Sequence, residues 1–162
     1  MIQILRSQLV LRSALWLSLG SWVGSWAFFA FVVSRIAFQV LPGDVAGDLA
    51  GDLLAVLHYW GAGAGLVAAA AAIGLGRRGL PVFIPIGLAL VCLASETWLS
   101  PAVAAVRPSS LGVGSTAELQ QRFGTLHRLS LGLFMAMHLV SAILIVIHAR
   151  LDAQEAQKQH ET

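Results

Sequence analysis

The chain of 162 residues is 57% hydrophobic and only 11% charged, with a mean hydropathy of +0.80 and a formal charge of +2. A soluble domain carries about 25% charged residues, so a chain this apolar lacks the polar surface to cover itself in water, and lipid is the expected solvent for most of it. Its ten Lys and Arg are scattered between apolar runs, a pattern that argues against a nucleic-acid reader, and the lone cysteine, Cys92, excludes an internal disulfide.

Crossing about 30 Å of hydrocarbon takes roughly 20 apolar residues, and four runs qualify: residues 14–40, 53–75, 80–99 and 126–149. The first is interrupted only by Arg35. It is too long for a signal-peptide core and lacks a convincing cleavage site, so it reads as a retained anchor. Gly20 and Gly24 form a G-x-x-x-G pair on it, suited to close helix contact.

Next comes "LPGDVAGDLAGDLL", three Gly-Asp steps at intervals of four. Pro42 suits the first turn of a helix, and early carboxylates complement its positive end. Gly47 and Gly51 weaken such a helix by roughly 1 kcal/mol each relative to alanine. The spacing of Asp44, Asp48 and Asp52 fits neither an EF-hand nor a nine-residue calcium repeat. Residues 41–52 therefore read as an acidic outer collar, with only Asp52 near enough to join buried chemistry.

The second run carries Gly61 and Gly65, followed on the same side by Ala68, Ala69 and Ala72. His58 lies one turn earlier and belongs to that small-residue stripe. The third run ends in "ETWLSP", which contains Glu96. On the fourth, at about 100° per residue, His127, Ser130, Phe134, His138, Ser141 and His148 fall within about 60° of one direction. Polar groups facing lipid are costly, so this face is expected to point inward. Residues 150–162 form a polar tail expected to fray. No run alternates as a barrel strand would. The prediction is one all-α domain, an integral membrane four-helix bundle.

Four spans put the N-terminus, the "GLGRRGL" turn and the C-terminal tail on one side, with Arg6, Arg12, Arg77, Arg78, Arg150 and Lys158. The other side has Arg107 and Arg122, with Arg35 and Arg128 near helix ends. The basic excess predicts cytoplasmic termini.

Antiparallel threading brings Arg35, His58, Glu96, His127 and Arg128 to one level beneath the outer surface, with Asp52 at its rim. Ionisable groups from four helices at one depth are the main functional pointer. Each has a plainer reading. Arg35 and Arg128 can snorkel, Glu96 can serve a structural ion pair, and His58, His127 and His138 can be interhelical hydrogen-bonders. His148 is expected to be solvated at the inner interface. The five tryptophans read as packing or interface aromatics. Met135 and Met137 face opposite sides and cannot jointly chelate a soft metal.

The segment "GSWVGSWAFFAFVVSRIAFQVLPGDVAGDL", then "ETWLSPAVAAVR" and "RFGTLHRLSLGLF", together resemble the transmembrane protein 205-like family, catalogued in bacteria as a domain of unknown function. The matching positions in the first segment are Trp22, Gly24, Phe28, Phe31, Phe38, Leu41, Pro42, Ala46 and Gly47. The first helix is also faintly similar to copper resistance protein D and HemJ-type haem-binding membrane proteins. Those place a haem-ligand histidine near the start of that helix, where this chain has Leu15 and Trp16.

Three functions compete. The first is a non-enzymatic membrane protein whose outer polar cluster (Arg35, Asp52, Glu96, Arg128 with the histidines) binds a small ligand or ion, or docks a partner. No P-loop, nucleophile elbow, H-E-x-x-H or C-x-x-C is present. The second is a b-type haem protein with His58 and His127 as axial ligands. The third is an accessory subunit in which the cluster is polar glue. The expected partner is the lipid bilayer, with a homo-oligomer or larger membrane complex where a path must be enclosed.

Overall fold

The computed structural model describes residues 2–108 and 116–160. Residues 109–115 of the predicted outer loop, and the last two of the tail, lie outside the described residues.

Four rods follow in chain order. Helix α1 (Ile2–Phe28) runs through a π-helical turn, Phe29–Val33, into α2 (Ser34–Val40). Helix α3 is Gly43–Gly74. Helix α4 (Leu80–Ala94) passes through a second π turn, Ser95–Leu99, into α5 (Ser100–Ala104), and α6 is Ala117–His160. Within them, four spans of 35, 32, 25 and 42 residues are long and apolar enough to cross a membrane. The described residues include no strand. The protein is an all-α integral membrane protein.

The helices outrun the hydrophobic runs. Residues 41–52 are not a separate collar, because Gly43 begins α3 and Pro42 stands just before it. The tail expected to fray is helical through His160. Hydropathy marks the part of a helix that lipid covers, whereas backbone hydrogen bonding continues while good helix formers follow. "AQEAQKQ" contains nothing but Ala, Gln, Glu and Lys.

Each span packs on its chain neighbours, and α6 closes the ring against α1. Among the described residues no Cα pair of the diagonal helices α3 and α6 comes within 8 Å. The buried seam of the first span runs through Leu15, Leu19, Trp22, Trp26 and, in the π turn, Phe29, with Ser18 buried beside it, and that of α6 runs through Phe134, Met137, Ser141, Leu144 and His148. Steps of three and four are the seam of near-parallel helix packing.

The small stripe of α3 packs closely on both neighbouring helices. A Cβ on Gly65 would sit 2.7 Å from the Pro85 backbone oxygen, and one on Gly61 would sit 2.8 Å from Trp22 Nε1. Gly65 lets α3 approach the α4 backbone, and both glycines make room for the Trp22 ring of α1. Gly20 and Gly24 behave otherwise. Both are exposed, and a methyl added at either would meet nothing within 4 Å, so the first G-x-x-x-G pair does not pack inside this bundle. Trp22 and Trp26 have the core-facing side of α1, and the heptad step that buries them turns Gly20 and Gly24 outward.

Candidate functional site

Two polar centres form, one at each end of the bundle. At the loop end, α2 makes no contact with α6 within the described residues, and the first and fourth spans diverge. A cavity of about 730 Å³ opens there. Its floor is aromatic: Phe29 meets Phe134 edge-on at 6.0 Å, and Phe134 stacks on Trp26 at 4.5 Å and 3°. Phe31 and Phe38 line the first-span wall, Phe123, His127 and Met135 the fourth. The second span contributes Asp44 and Asp52, and the third contributes Glu96, Ser100 and, past α5, Arg107.

Glu96 sits inside the π turn. Its Oε2 lies 3.0 Å from His58 Nδ1 and accepts a hydrogen bond from the Ser100 hydroxyl at 3.1 Å. His58 is only 4% exposed, and its ring packs edge-on against Trp26 at 6.0 Å. A carboxylate can only accept, so Nδ1 carries the proton in this contact when Glu96 is ionised. Single π turns recur at functional positions because the extra residue re-aims a side chain. Here two such turns border one cavity, Phe29–Val33 from one wall and Ser95–Leu99 from another.

The six residues singled out from sequence separate into three groups. Asp52, Glu96 and His127 line the cavity. His58 does not line it and stands behind Glu96. Arg35 and Arg128 are exposed, are not in its lining, and form no ion pair among the described residues. His127 is exposed and stacked on Phe123 at 5.3 Å. Trp26 separates the two histidines' helices, donating from Nε1 to the Leu57 carbonyl of α3 at 3.2 Å while stacking on Phe134 of α6. A bis-histidine haem needs two imidazoles facing one space. His58 and His127 sit on diagonal spans without such a space, and they do not fit that group.

Arg107 was not singled out from sequence. Its Nη1 donates to the Gly47 carbonyl at 2.7 Å, and Nη2 lies 2.8 Å from Asp48 Oδ1. A Cβ on Gly51 would sit 2.3 Å from Nη1. The glycines of the Gly-Asp repeat are the seat of this side chain.

The terminal-end centre was also missed. Gly76 and Gly79, at φ +75° and +74°, shape the turn that tucks Arg77 inward. Arg77 contacts His148 Nδ1 and the Asp152 carboxylate, and its Nε lies 3.9 Å from Glu155. Asp152 also takes Arg12 at 2.6 Å and the Trp16 indole N–H at 3.0 Å, and Arg12 reaches Glu155 at 2.5 Å. His148, expected to be solvated, is fully buried. The available signal was His148, Asp152 and Glu155 at steps of four and three, opposite Arg12 and Arg77. This clasp joins α1, the α3–α4 turn and α6, and places both termini at one end.

Nothing among curated proteins or solved structures matches the chain. The profile of one family, described as a domain of unknown function (DUF4149), matches residues 17–111. The match takes in His58, Glu96, Arg107 and the acidic segment, and stops before α6. It spans more than half of the 162 residues, and the protein belongs to that family.

Proposed function

We propose that the loop-end cavity binds a small amphipathic cation, its apolar body among the phenylalanines and its charged head toward Glu96. The observation that carries this reading is the pairing of an aromatic wall with carboxylates inside about 730 Å³. Cavities of about 300–1,000 Å³ with a few placed polar groups are the usual form of small-molecule sites. Aromatic faces and carboxylates both attract cations. The cavity's arginine is neutralised by Asp48, whereas Asp52 and Glu96 have no arginine partner among the described residues. The role is binding rather than catalysis. The basic excess at the terminal end supports cytoplasmic termini and a cavity facing outward, and the family resemblance suggests a bacterial inner membrane as the setting.

The test is equilibrium dialysis of tetraphenylphosphonium against the protein in nanodiscs, with empty nanodiscs as reference. Saturable binding near one per chain is expected, and it should be absent for tetraphenylborate, an anion of the same shape. No saturable uptake, or equal uptake of both ions, refutes the reading. A cysteine in place of Arg78 should label only from the cytoplasmic side, and one in place of Pro108 only from outside.

A further inference from the structure

The Glu96–His58 contact does more than hold two helices together. Glu96 faces the cavity with one side and His58 with the other, so a ligand head and an imidazole compete for one carboxylate. Resting on the cavity reading above, we propose that the pair stores one exchangeable proton and that cation binding expels it, making this a proton-for-cation exchange site.

The reasoning is charge balance. With both His58 nitrogens protonated, imidazolium and carboxylate sum to zero, which suits a contact whose histidine is 4% exposed. A monovalent cation arriving at Glu96 raises the sum to +1. Like charges interact strongly where water is scarce, and the cheapest relief is loss of the second imidazole proton to solvent. His58 is then neutral, Nδ1 still donates to Glu96, and the site again sums to zero. No bond other than N–H is broken, and no oxidant or further reactant is needed.

The surroundings offer few competitors. From α3, Asp44 and Asp52 line the same cavity; from beyond α5, Arg107 is held by Asp48 and the Gly47 carbonyl; from α6, His127 faces in. The first span presents phenylalanines and Ser34, with Arg35 outside the lining. His127 is the other imidazole that could supply a proton, but it contacts Phe123 and has no carboxylate partner among the described residues.

The experiment is a tetraphenylphosphonium titration of the nanodisc protein in weak buffer, with a pH dye reporting protons and dialysis reporting bound cation, scanned from about pH 5 to 8, where histidines change charge. Roughly one proton per cation bound is expected somewhere in that range, with the Kd weakening by up to about tenfold per unit of acidification there. Glu96→Gln should lose at least tenfold in affinity and all release. His58→Gln should bind cation with no release and no pH dependence. Saturable binding without release at any pH overturns the exchange and leaves the cavity reading intact. Release that survives in His58→Gln overturns the assignment to this pair. No saturable binding by the wild-type protein overturns both readings. Release by the wild-type protein alone decides the exchange if a variant fails to fold.

Discussion

Replacing Asp152 by alanine should be among the most destabilising single changes outside the core. The aspartate faces two arginines, and Arg77 has a side chain only 3% exposed with His148 as its other close contact. Removing one partner of a buried pair costs about 3–5 kcal/mol, because the remaining charge stays desolvated. Arg12 is 30% exposed, so its share is about 1 kcal/mol or less. The Trp16 hydrogen bond adds about 1 kcal/mol. Glu155, 3.9 Å from Arg77 Nε, recovers part of the loss. The sum expected is about 3–4 kcal/mol. Unfolding by SDS titration in mixed micelles, followed by far-ultraviolet circular dichroism, reads it directly. Glu118→Ala, at an exposed acid, should cost under about 0.5 kcal/mol. The double change Arg77→Met with Asp152→Leu should return to within about 1 kcal/mol of wild type, since an apolar pair leaves no orphaned charge. A loss under about 1 kcal/mol for Asp152→Ala, or a double variant no better than the single one, refutes the clasp.

Other changes test the packing. Gly65→Ala drives a methyl against the Pro85 backbone oxygen and should cost about 1–3 kcal/mol, whereas Gly24→Ala meets open space and should gain about 0.5–1 kcal/mol; equal effects in the SDS titration would contradict the packing of the second span. Gly51→Ala should displace the Arg107 guanidinium at a cost of about 1–2 kcal/mol. Added to Arg107→Ala it should cost nothing more, and additive losses in that cycle would show that the seat is unimportant. Cys92 is fully buried between Gly61 and Met137. It should resist maleimide in the native protein and react once SDS unfolds it, and fast native labelling would contradict its burial.

Depth was legible in the sequence throughout, and direction only in part: the α3 stripe with His58 and the lower α6 face are inward as expected, whereas Arg35 and Arg128 are not. Rise per residue is constant in a helix, so counting from span ends places Glu96 and His58 at one level, and they meet at 3.0 Å. Direction around the axis depends on register, and each π turn inserts a residue that rotates everything beyond it. Arg35 follows one such turn and faces outward. Arg128 lies on α6, whose inward direction is set by the Phe134–Trp26 stack and not by its polar residues alone. The stripe of polar side chains on α6 is inward in its lower part, where Ser141 and His148 are buried, and loses contact with the first span above Phe134 where those two spans diverge. The terminal clasp escaped because charges at span ends read as solvated anchors. Only the pairing of Arg77 with a helix of distant sequence position turns them into a buried network.

The three Gly-Asp steps acquire separate tasks once Arg107 is in place. A side chain lying along a helix covers about one turn, roughly 5.4 Å, and glycines four apart leave a groove of that length. Arg107 occupies it, its Cδ 3.7 Å from a Cβ position on Gly47 and its guanidinium over Gly51. Asp48, between those glycines, neutralises the cation it seats. Asp44 and Asp52, one step to either side, are left facing the cavity. A four-residue period therefore cancels Arg107, the one arginine lining the cavity among the described residues, while preserving the carboxylates to either side. In the proposed cation site, that excess of carboxylates is the feature expected to select a cation over an anion of equal shape, and it links the segment's spacing to the carboxylate one turn deeper at Glu96.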